Sequence, residues 1–198
     1  MFTGIVQEIG IVTKRQSSRG LLTFSIRGPK TSRRSTVGSS VAVNGVCTTV
    51  AAKRGGALQV TYMPETQRKT TVSRWQPGTR LNLEPSLRLG DEVGGHFVFG
   101  HVDAVGSIKA VSRRGGNIRL RIGLPATLRP FMVARGSICV DGVSLTIAER
   151  TRDGFLVALI PHTLAATTLS RLVVGSRVNV EVDMLARYVL NSRHFKEE

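Results

Sequence analysis

The fold is decided by the stretch Val43-Asn44-Gly45-Val46-Cys47-Thr48-Thr49-Val50, because it returns 97 residues later as Val140-Asp141-Gly142-Val143-Ser144-Leu145-Thr146-Ile147. An ungapped comparison of residues 41–84 with residues 138–181 gives 16 identities in 44 positions. A shorter match upstream pairs Gly4-Ile5-Val6 with Gly100-His101-Val102. Similarity at a fixed spacing indicates a duplicated unit. We therefore expect two repeats, covering residues 1–96 and 97–198.

Each repeat has the pattern of a small antiparallel barrel, in which β-branched residues alternate with polar ones and turn residues recur at short intervals. Asn44-Gly45 and Asp141-Gly142 provide the positive φ values that two-residue hairpin turns require. The fold class is therefore all-β, with two tandem six-stranded antiparallel barrels. The predicted strands lie near residues 4–14, 20–27, 40–43, 46–53, 57–63 and 79–84, and near 100–111, 117–123, 137–140, 143–150, 154–160 and 176–181.

The C-terminal tail departs from this pattern and predicts a helix from about residue 184 to 196. Asp183 is a plausible N-cap, and Leu185, Tyr188 and Phe195 would share one helix face. A helix of about 13 residues is marginal on its own, so its apolar stripe needs a partner. Either the barrels of the same chain or the same helix from other protomers would serve, and we favour self-assembly.

Composition limits the possible partners. The 28 Lys and Arg residues outnumber the 13 Asp and Glu residues and give a net charge of +15, so anionic partners need consideration. Most basic residues nevertheless form short pairs beside Ser or Gly, and only 5% of residues are aromatic, so stacking platforms for nucleic acid are scarce. We expect solvated loop tips rather than a nucleic-acid interface.

The sequence also predicts a cytoplasmic protein with no membrane segment. No apolar run approaches the roughly 20 residues that span a bilayer, and the first residues lack a signal-peptide pattern. The two cysteines, Cys47 and Cys139, do not suggest a disulfide framework.

Several catalytic motifs are missing from the sequence. Gly90-Asp91-Glu92-Val93-Gly94-Gly95 is followed by His96 and lacks the Lys-Ser/Thr pair of a phosphate loop. No Gly-x-Ser-x-Gly elbow is present. His96 and His101 would fall on opposite faces of a strand, and no nearby cysteine or carboxylate completes a zinc set. We expect no metal site.

The best candidate site residues follow the two hairpin turns. Cys47 in the first repeat corresponds to Ser144 in the second, and Thr49 and Thr146 lie two positions further on. On a strand, residues two apart project from the same face, so each repeat would present a thiol or hydroxyl pair to one side. For Cys47, a role as a buried small hydrophobe stays open.

Two such pockets would be related without being identical. They differ at Ile5/His101 and Glu65/His162 as well as at Cys47/Ser144, which suits two similar polar ligands that are handled differently. A histidine at position 101 is able to transfer protons near neutral pH. A structural role for His101, and turn-capping roles for Glu65 and His162, stay open as alternatives.

Four separated motifs resemble one known family. They are Met1–Val6, Val41–Cys47, Gly94–Asp103 and Val140–Thr146, and together they are similar to riboflavin synthase of the alpha-chain type, the lumazine-binding repeat family. The resemblance implies six-stranded Greek-key barrels and a C-terminal helix that joins three chains. It further implies an enzyme that converts two 6,7-dimethyl-8-ribityllumazine molecules, stacked between the N-terminal barrel of one protomer and the C-terminal barrel of its neighbour.

The reaction that the resemblance implies is a four-carbon transfer that gives riboflavin and 5-amino-6-(D-ribitylamino)uracil, with no cofactor and no metal. The implied partners are the two substrate molecules and the homotrimer, with lumazine synthase as a further candidate. The competing interpretation is a non-catalytic lumazine- or flavin-binding protein of the same fold. We prefer the enzyme because His101, Cys47, Thr146 and Asp183 are all present.

The resemblance also assigns the pockets. The implied N-terminal pocket contains Gly4, Ile5, Val6, Ser40, Cys47, Thr48, Thr49, Thr61, Tyr62, Met63, Pro64, Glu65 and Thr66, with Glu65 reaching the ribityl hydroxyls. The implied C-terminal pocket contains Gly100, His101, Val102, Ser144, Leu145, Thr146, Ala158, Leu159, Ile160, Pro161, His162 and Thr163. Arg135 stands where the family usually has lysine and would reach a ligand across the subunit interface.

The implied catalytic roles are as follows. His101 with Thr146 would transfer a proton, Ser40, Cys47 and Asp183 would activate or position a nucleophile, and Phe2 would pack over the ring. The chain departs from the family pattern at Thr48, where leucine is usual, and at Phe99, where a smaller residue is common.

Overall fold

The computed structural model describes residues 1–114 and 117–192 and forms two closed antiparallel barrels of six strands each. Barrel one contains β1 (Glu8–Ser18), β2 (Leu21–Arg27), β3 (Ser40–Val43), β4 (Val46–Arg54), β5 (Ala57–Tyr62) and β6 (Arg80–Pro85). Barrel two contains β7 (Ala104–Arg114), β8 (Asn117–Gly123), β9 (Ser137–Val140), β10 (Val143–Thr151), β11 (Gly154–Leu159) and β12 (Arg177–Val182). Both close in the same strand order, β1-β2-β5-β4-β3-β6 and its equivalent. The predicted fold class is confirmed.

Short helices connect or follow the strands. They are α1 (Pro29–Arg34), α2 (Pro64–Lys69), α3 (Pro161–Ala166) and α4 (Met184–Asn191). Proline occupies a first-turn position of the first three, where its missing N–H costs nothing. The sequence analysis missed α1, whose N-terminal amides at Lys30 and Thr31 are capped from outside the helix by the Glu8 carboxylate.

Helix α4 begins where the sequence predicted. The Asp183 carboxylate accepts a hydrogen bond from the Leu185 amide at 3.0 Å and so caps the first turn. Leu185 and Tyr188 are 65% and 69% exposed, so the barrels of the same chain leave most of this apolar face uncovered. The rest of the predicted helix, including Phe195, lies outside the described residues.

The interior of each barrel is filled by its own side chains. In barrel one, the rings of Phe24, Tyr62 and Trp75 pack edge to face with centroids 5.5–5.9 Å apart. In barrel two, Phe155 and aliphatic residues such as Leu120 and Ile122 form the equivalent core. With both interiors packed, a ligand has to bind on an outer surface.

The first strand of each repeat begins later than predicted, at Glu8 and Ala104. The residues before these strands leave their own barrel and pair with each other: Phe2 and Val98 exchange two backbone hydrogen bonds of 2.7 and 3.0 Å. Alternating apolar residues predicted a longer strand, but Gly4 and Gly100 adopt φ values of +74° and +75°, which interrupt extended backbone.

The two barrels pack against each other through equivalent residues of the two repeats. The Asn82 side chain donates to the Asp141 carbonyl and the Asn179 side chain donates to the Asn44 carbonyl, both at 2.8 Å. A Cβ on Gly45 would lie 2.7 Å from the Gly142 amide nitrogen. The interface therefore has approximate two-fold symmetry. These contacts explain why both repeats have asparagine at positions 82 and 179 and glycine at positions 45 and 142.

Candidate functional site

The candidate residues of β4 and β10 lie on the outer faces of the barrels. Along β4 the residues alternate, so that Cys47 is half-buried and Thr49 is exposed while Val46, Thr48 and Val50 face the core. Ser144 and Thr146 occupy the same positions on β10. On the adjacent strands, Ser40 pairs with Thr49 and Ser137 with Thr146. Each barrel thus presents a small cluster of hydroxyl or thiol groups to the outside.

A glycine loop from the other repeat completes each cluster. The Gly100 carbonyl accepts a 2.9 Å hydrogen bond from the Cys47 amide, and the Gly4 carbonyl accepts a 2.8 Å bond from the Ser144 amide. A Cβ on either glycine would lie 2.6 Å from the Cβ of its partner, so only glycine allows this approach. The outer face of one barrel is therefore built from both repeats.

This exchange corrects the pocket assignment expected from the sequence. Gly4, Ile5 and Val6 belong with barrel two, where Val6 packs against the core. Gly100, His101 and Val102 belong with barrel one, where Val102 packs against the core. The sequence could not distinguish these arrangements, because the two repeats are similar and either pairing gives the same pattern.

Two buried glutamates hold the exchanged loops and were not recognised as site residues. The Glu84 carboxylate accepts hydrogen bonds from the amides of Thr3 at 2.7 Å and Gly4 at 3.0 Å. The Glu181 carboxylate accepts from the amides of Phe99 at 2.7 Å and Gly100 at 2.8 Å. Burial raises the pKa of both carboxyl groups, that of Glu181 to about 7, and these hydrogen bonds oppose the rise.

His96 is a third residue that was not predicted to lie in the site. Its Nδ1 lies 2.7 Å from the Ser144 hydroxyl oxygen. Burial lowers the pKa of His96, and the nearby Asp183 carboxylate partly opposes this. From the sequence, His96 was considered only as a metal ligand. Its place beside Ser144 could not be predicted, because it depends on the crossing of residues 94–98 over barrel two.

In the part of the chain that the structure describes, neither His96 nor His101 belongs to a cluster of metal-ligating side chains. Within residues 1–114 and 117–192, no group of three or more His, Cys, Asp or Glu side chains is arranged to hold a metal ion. His96 is associated with Ser144 of barrel two, whereas His101 follows the glycine that contacts barrel one.

The remaining expected residues surround these clusters or face inward. Exposed or half-buried on the outer faces are Thr61, Met63, Pro64, Glu65, Thr66, Ala158, Ile160, Pro161, His162 and Thr163. Glu65 forms ion pairs with Arg68 and Lys69 of its own helix α2. Side chains that face the barrel interiors are those of Thr48, Tyr62, Leu145 and Leu159, so only their backbone groups reach the outside. Arg135 is exposed, with φ of +66°, and its amide bonds to the Ile147 carbonyl at 2.8 Å.

The expectation that Phe2 packs over a bound ring is not met. Phe2 is fully buried in a cluster with Ala42, Val98 and Cys139 between the two barrels. Its contribution is to hold the crossing segments together, because burying a phenyl ring stabilises the structure by about 2–3 kcal/mol.

Within one chain, the expected catalytic residues fall into two separate groups. Ser40, Cys47 and His101 lie with barrel one, and Thr146 and Asp183 lie with barrel two. The pairs that were expected to act together, His101 with Thr146 and Cys47 with Asp183, are thus on different barrels. Each barrel provides half of the expected constellation.

Comparison with known proteins agrees with the duplicated architecture. The lumazine binding domain matches this chain twice, at residues 3–86 and 99–183. The riboflavin synthase of Mycobacterium tuberculosis (strain ATCC 25618 / H37Rv) is 44% identical over 193 residues, covering 96% of each chain. The riboflavin synthase of Brucella abortus (strain 2308) is 39% identical and covers 100% of each chain, and that of Bacillus subtilis (strain 168) is 35% identical and covers 100% of this chain and 92% of the relative.

Similar solved structures carry ligands. LumP complexed with riboflavin has a TM-score of 0.85 and 28% sequence identity, and LumP complexed with 6,7-dimethyl-8-(1'-D-ribityl) lumazine has a TM-score of 0.83 and 26% identity. Both comparisons cover 92% of this chain and 99% of LumP. In the part of the chain that the structure describes, none of the helices has the length and apolar character needed to cross a bilayer.

Proposed function

The chain belongs to the riboflavin synthase family and carries the lumazine binding domain twice, and from this premise we propose that it is a transferase acting on two molecules of 6,7-dimethyl-8-ribityllumazine. One molecule donates a four-carbon unit to the other, which gives riboflavin and 5-amino-6-(D-ribitylamino)uracil, the last step of riboflavin biosynthesis. The observation that carries the proposal is the pair of matching outer-face clusters, Cys47 with Thr49 and Ser144 with Thr146.

Each cluster binds one lumazine. On barrel one, Ser40, Cys47 and Thr49 offer side-chain groups to the heterocycle, and the Gly100–Val102 loop forms one wall. On barrel two, Ser144 and Thr146 take the same role beside the Gly4–Val6 loop. Thr61, Met63 to Thr66, Ala158 and Ile160 to Thr163 form the outer rims, where the ribityl chain lies.

The chemistry requires the two ligands to meet. A proton leaves the 7-methyl group of one lumazine, the resulting carbanion is delocalised into the ring, and a nucleophile adds at C7 of the other. Holding both reactants stacked in one site raises their effective molarity. This effect lowers the activation free energy of the reaction between them by up to roughly 7–11 kcal/mol.

The separation of the expected residues within one chain supports a site between chains. We assign proton transfer to His101 with Thr146, and positioning of the nucleophile to Ser40 and Cys47 with Asp183. These partners lie on different barrels, and in our proposal barrel one of one protomer faces barrel two of a neighbour and so brings them together. The exposed face of α4, with Leu185 and Tyr188, would join three chains in a homotrimer. Arg135 would reach across that interface.

His96 adds a role that the sequence did not suggest. Its lowered pKa keeps the imidazole neutral near neutral pH, so the ring carries one donor and one acceptor nitrogen. The nitrogen 2.7 Å from Ser144 fixes the direction of that hydroxyl. Ser144 is thereby held in one orientation toward the ligand of barrel two.

The alternative function is binding without turnover, which the LumP complexes with a lumazine and with riboflavin favour. Sequence identity favours the enzyme, because the synthases are 35–44% identical to this chain while LumP is 26–28% identical. A cytoplasmic location, the trimer and an association with lumazine synthase remain predictions.

One assay distinguishes the two functions. The purified chain is incubated with 6,7-dimethyl-8-ribityllumazine, and riboflavin is followed by its absorbance. The enzyme forms one riboflavin for every two lumazines consumed. Saturable binding of the lumazine without riboflavin formation would establish the alternative instead. The variant His101→Ala, purified in the same way, tests the role given to His101, and full turnover by this variant would contradict that role.

A further inference from the structure

A cavity of about 540 Å³ lies between the two barrels and has the approximate two-fold symmetry of their interface. Its walls come in equivalent pairs from the two repeats, among them Arg74 with Arg171 and Arg80 with Arg177. It shares no lining residue with either lumazine site described above. A volume of this size is within the range of small-ligand sites, about 300–1,000 Å³.

Four arginines with exposed side chains line this cavity, and the fold fixes the positions of their backbone. Arg74 and Arg171 end the two short 3-10 turns, Thr71–Arg74 and Thr168–Arg171, and Arg80 and Arg177 are the first residues of β6 and β12. The amides that begin the two turns are bonded to Asn179 and Asn82 across the barrel interface, at 2.8 Å each. Both pairs of arginines are therefore attached to rigid backbone at the centre of the molecule.

The positive charge of this cavity is not neutralised by the protein. Across residues 1–114 and 117–192, none of these four guanidinium groups has a hydrogen bond or an ion pair with another residue, whereas the basic residues Arg34, Lys69 and Arg187 are paired with carboxylates. The one acidic residue in the wall, Asp141, is buried, and its Oδ1 accepts the Asn179 amide at 2.8 Å.

Two further arginines increase the positive potential at the rim. Arg15 of β1 and Arg113 of β7 each reach a backbone carbonyl beside the cavity, those of Ser73 and Leu172, at 3.4 Å. Guanidinium groups bind phosphate oxygens through parallel charge-assisted hydrogen bonds. We propose that this cavity, which we name the inter-barrel arginine site, binds a small polyphosphate group, such as a linear oligophosphate or the phosphate chain of a nucleotide.

Symmetry and charge favour a compact oligophosphate over a single phosphate. The four arginines form two equivalent pairs, which suits a ligand with more than one phosphate group, and their summed charge is balanced by a ligand with about four negative charges. The cavity wall includes Trp75, the only tryptophan of the chain, so tryptophan fluorescence provides a signal for occupancy of this site when no lumazine is present.

The test uses inorganic tripolyphosphate and the full-length protein at low ionic strength. Binding is measured by titration calorimetry and by Trp75 fluorescence, for the native chain and for Arg74→Gln/Arg171→Gln. The matched control, Arg33→Gln/Arg152→Gln, removes the same charge from exposed positions outside the cavity. We expect saturation at one tripolyphosphate per chain, a loss of affinity of roughly tenfold or more in the cavity variant, and less than about twofold in the control.

Three results would overturn the proposal. They are no saturable binding, several tripolyphosphates per chain, or an equal loss in both variants, which would show condensation of anions on a basic surface. Binding of a single-stranded oligonucleotide but not of tripolyphosphate would replace it with a nucleic-acid interface. Circular dichroism shows whether the variants are folded, and Arg80→Gln, at an exposed strand end, provides a second variant. Riboflavin formation is independent of these outcomes, because the cavity and the lumazine sites share no residue.

Discussion

Replacing the buried carboxylate Asp141 by asparagine is expected to stabilise the protein, and the molecule provides its own reference for this change. Asp141 and its repeat equivalent Asn44 both have φ of +45° in a hairpin turn. The Asp141 Oδ1 accepts the Asn179 amide at 2.8 Å, and the Asn44 Oδ1 accepts the Asn82 amide at 2.6 Å. The substitution Asp141→Asn therefore keeps the hydrogen bond and the turn, and removes only the charge.

The expected size follows from the pKa of Asp141, which burial raises from 3.8 to about 7 despite the hydrogen bond from Asn179. In the unfolded chain this carboxyl ionises near pH 3.9, whereas in the folded chain it stays protonated to about pH 7, so stability falls as the pH rises between these values. A difference of about three pKa units corresponds to a penalty of about 4 kcal/mol above pH 7, as an upper bound.

The assay is urea unfolding of the native chain, Asp141→Asn and the mirror variant Asn44→Asp at about pH 4 and about pH 8. At the higher pH we expect Asp141→Asn to unfold with a free energy about 1–4 kcal/mol above that of the native chain, and Asn44→Asp to lose a similar amount. At the lower pH the three proteins should differ by less than about 1 kcal/mol. A gain that is the same at both pH values, or no gain at pH 8, would refute the assignment of the penalty to a buried charge.

Three further predictions concern the exchanged loops and the shared site. Gly100→Ala places a Cβ 2.6 Å from that of Cys47 and should lower the free energy of unfolding by at least about 2 kcal/mol. The control Gly38→Ala also has a positive φ, of +89°, but no atom lies within 4 Å of the added Cβ, so it should lower the free energy of unfolding by less. Equal losses in urea unfolding would contradict the close approach. Glu181→Gln replaces one carboxylate oxygen by an NH₂ group, so the hydrogen bond from the amide of either Phe99 or Gly100 is lost. The change should cost about 1–3 kcal/mol and weaken lumazine binding, measured by fluorescence titration; unchanged binding would show that the loop does not depend on this residue. The variants His101→Ala and Ser144→Ala should each form riboflavin slowly. When the two variants are unfolded and refolded together, riboflavin formation should recover, because a site between two chains can combine the intact His101 of one with the intact Ser144 of the other. No recovery would place the site within one chain.

Most of the fold could be predicted because it is written in local patterns. Alternation along 46–53 and 143–150 and the two Asx-Gly turns predict the central hairpins, and the structure places Cys47 and Thr49 on one outer face as expected. Burial, in contrast, is decided by distant parts of the chain. Phe2 has the same local sequence whether it faces a ligand or the space between the barrels.

The pairing of loops with barrels could not be predicted for a related reason. Two similar repeats allow Gly4 to contact either Cys47 or Ser144, and no short-range signal distinguishes the choices. Glu84 and Glu181 could be recognised from the sequence only as the same residue at equivalent positions of the two repeats. Their role could not be predicted, because the loops that they hold lie about 80 residues away in the chain. His96 was missed because its contact with Ser144 depends on the crossing of residues 94–98 to barrel two, which no local pattern predicted.

The exchange of glycine loops has a consequence for the origin of the molecule. A half-length ancestor with one barrel would have carried its own loop but had no neighbour within the same polypeptide to receive it. Such an ancestor could complete a ligand-binding face only as a dimer of identical chains, in which the N-terminal segment of each chain packs on the barrel of the other. Fusion of two such copies would keep both exchanged segments within one polypeptide and would allow the two halves to diverge, as they do at Cys47/Ser144 and Ile5/His101.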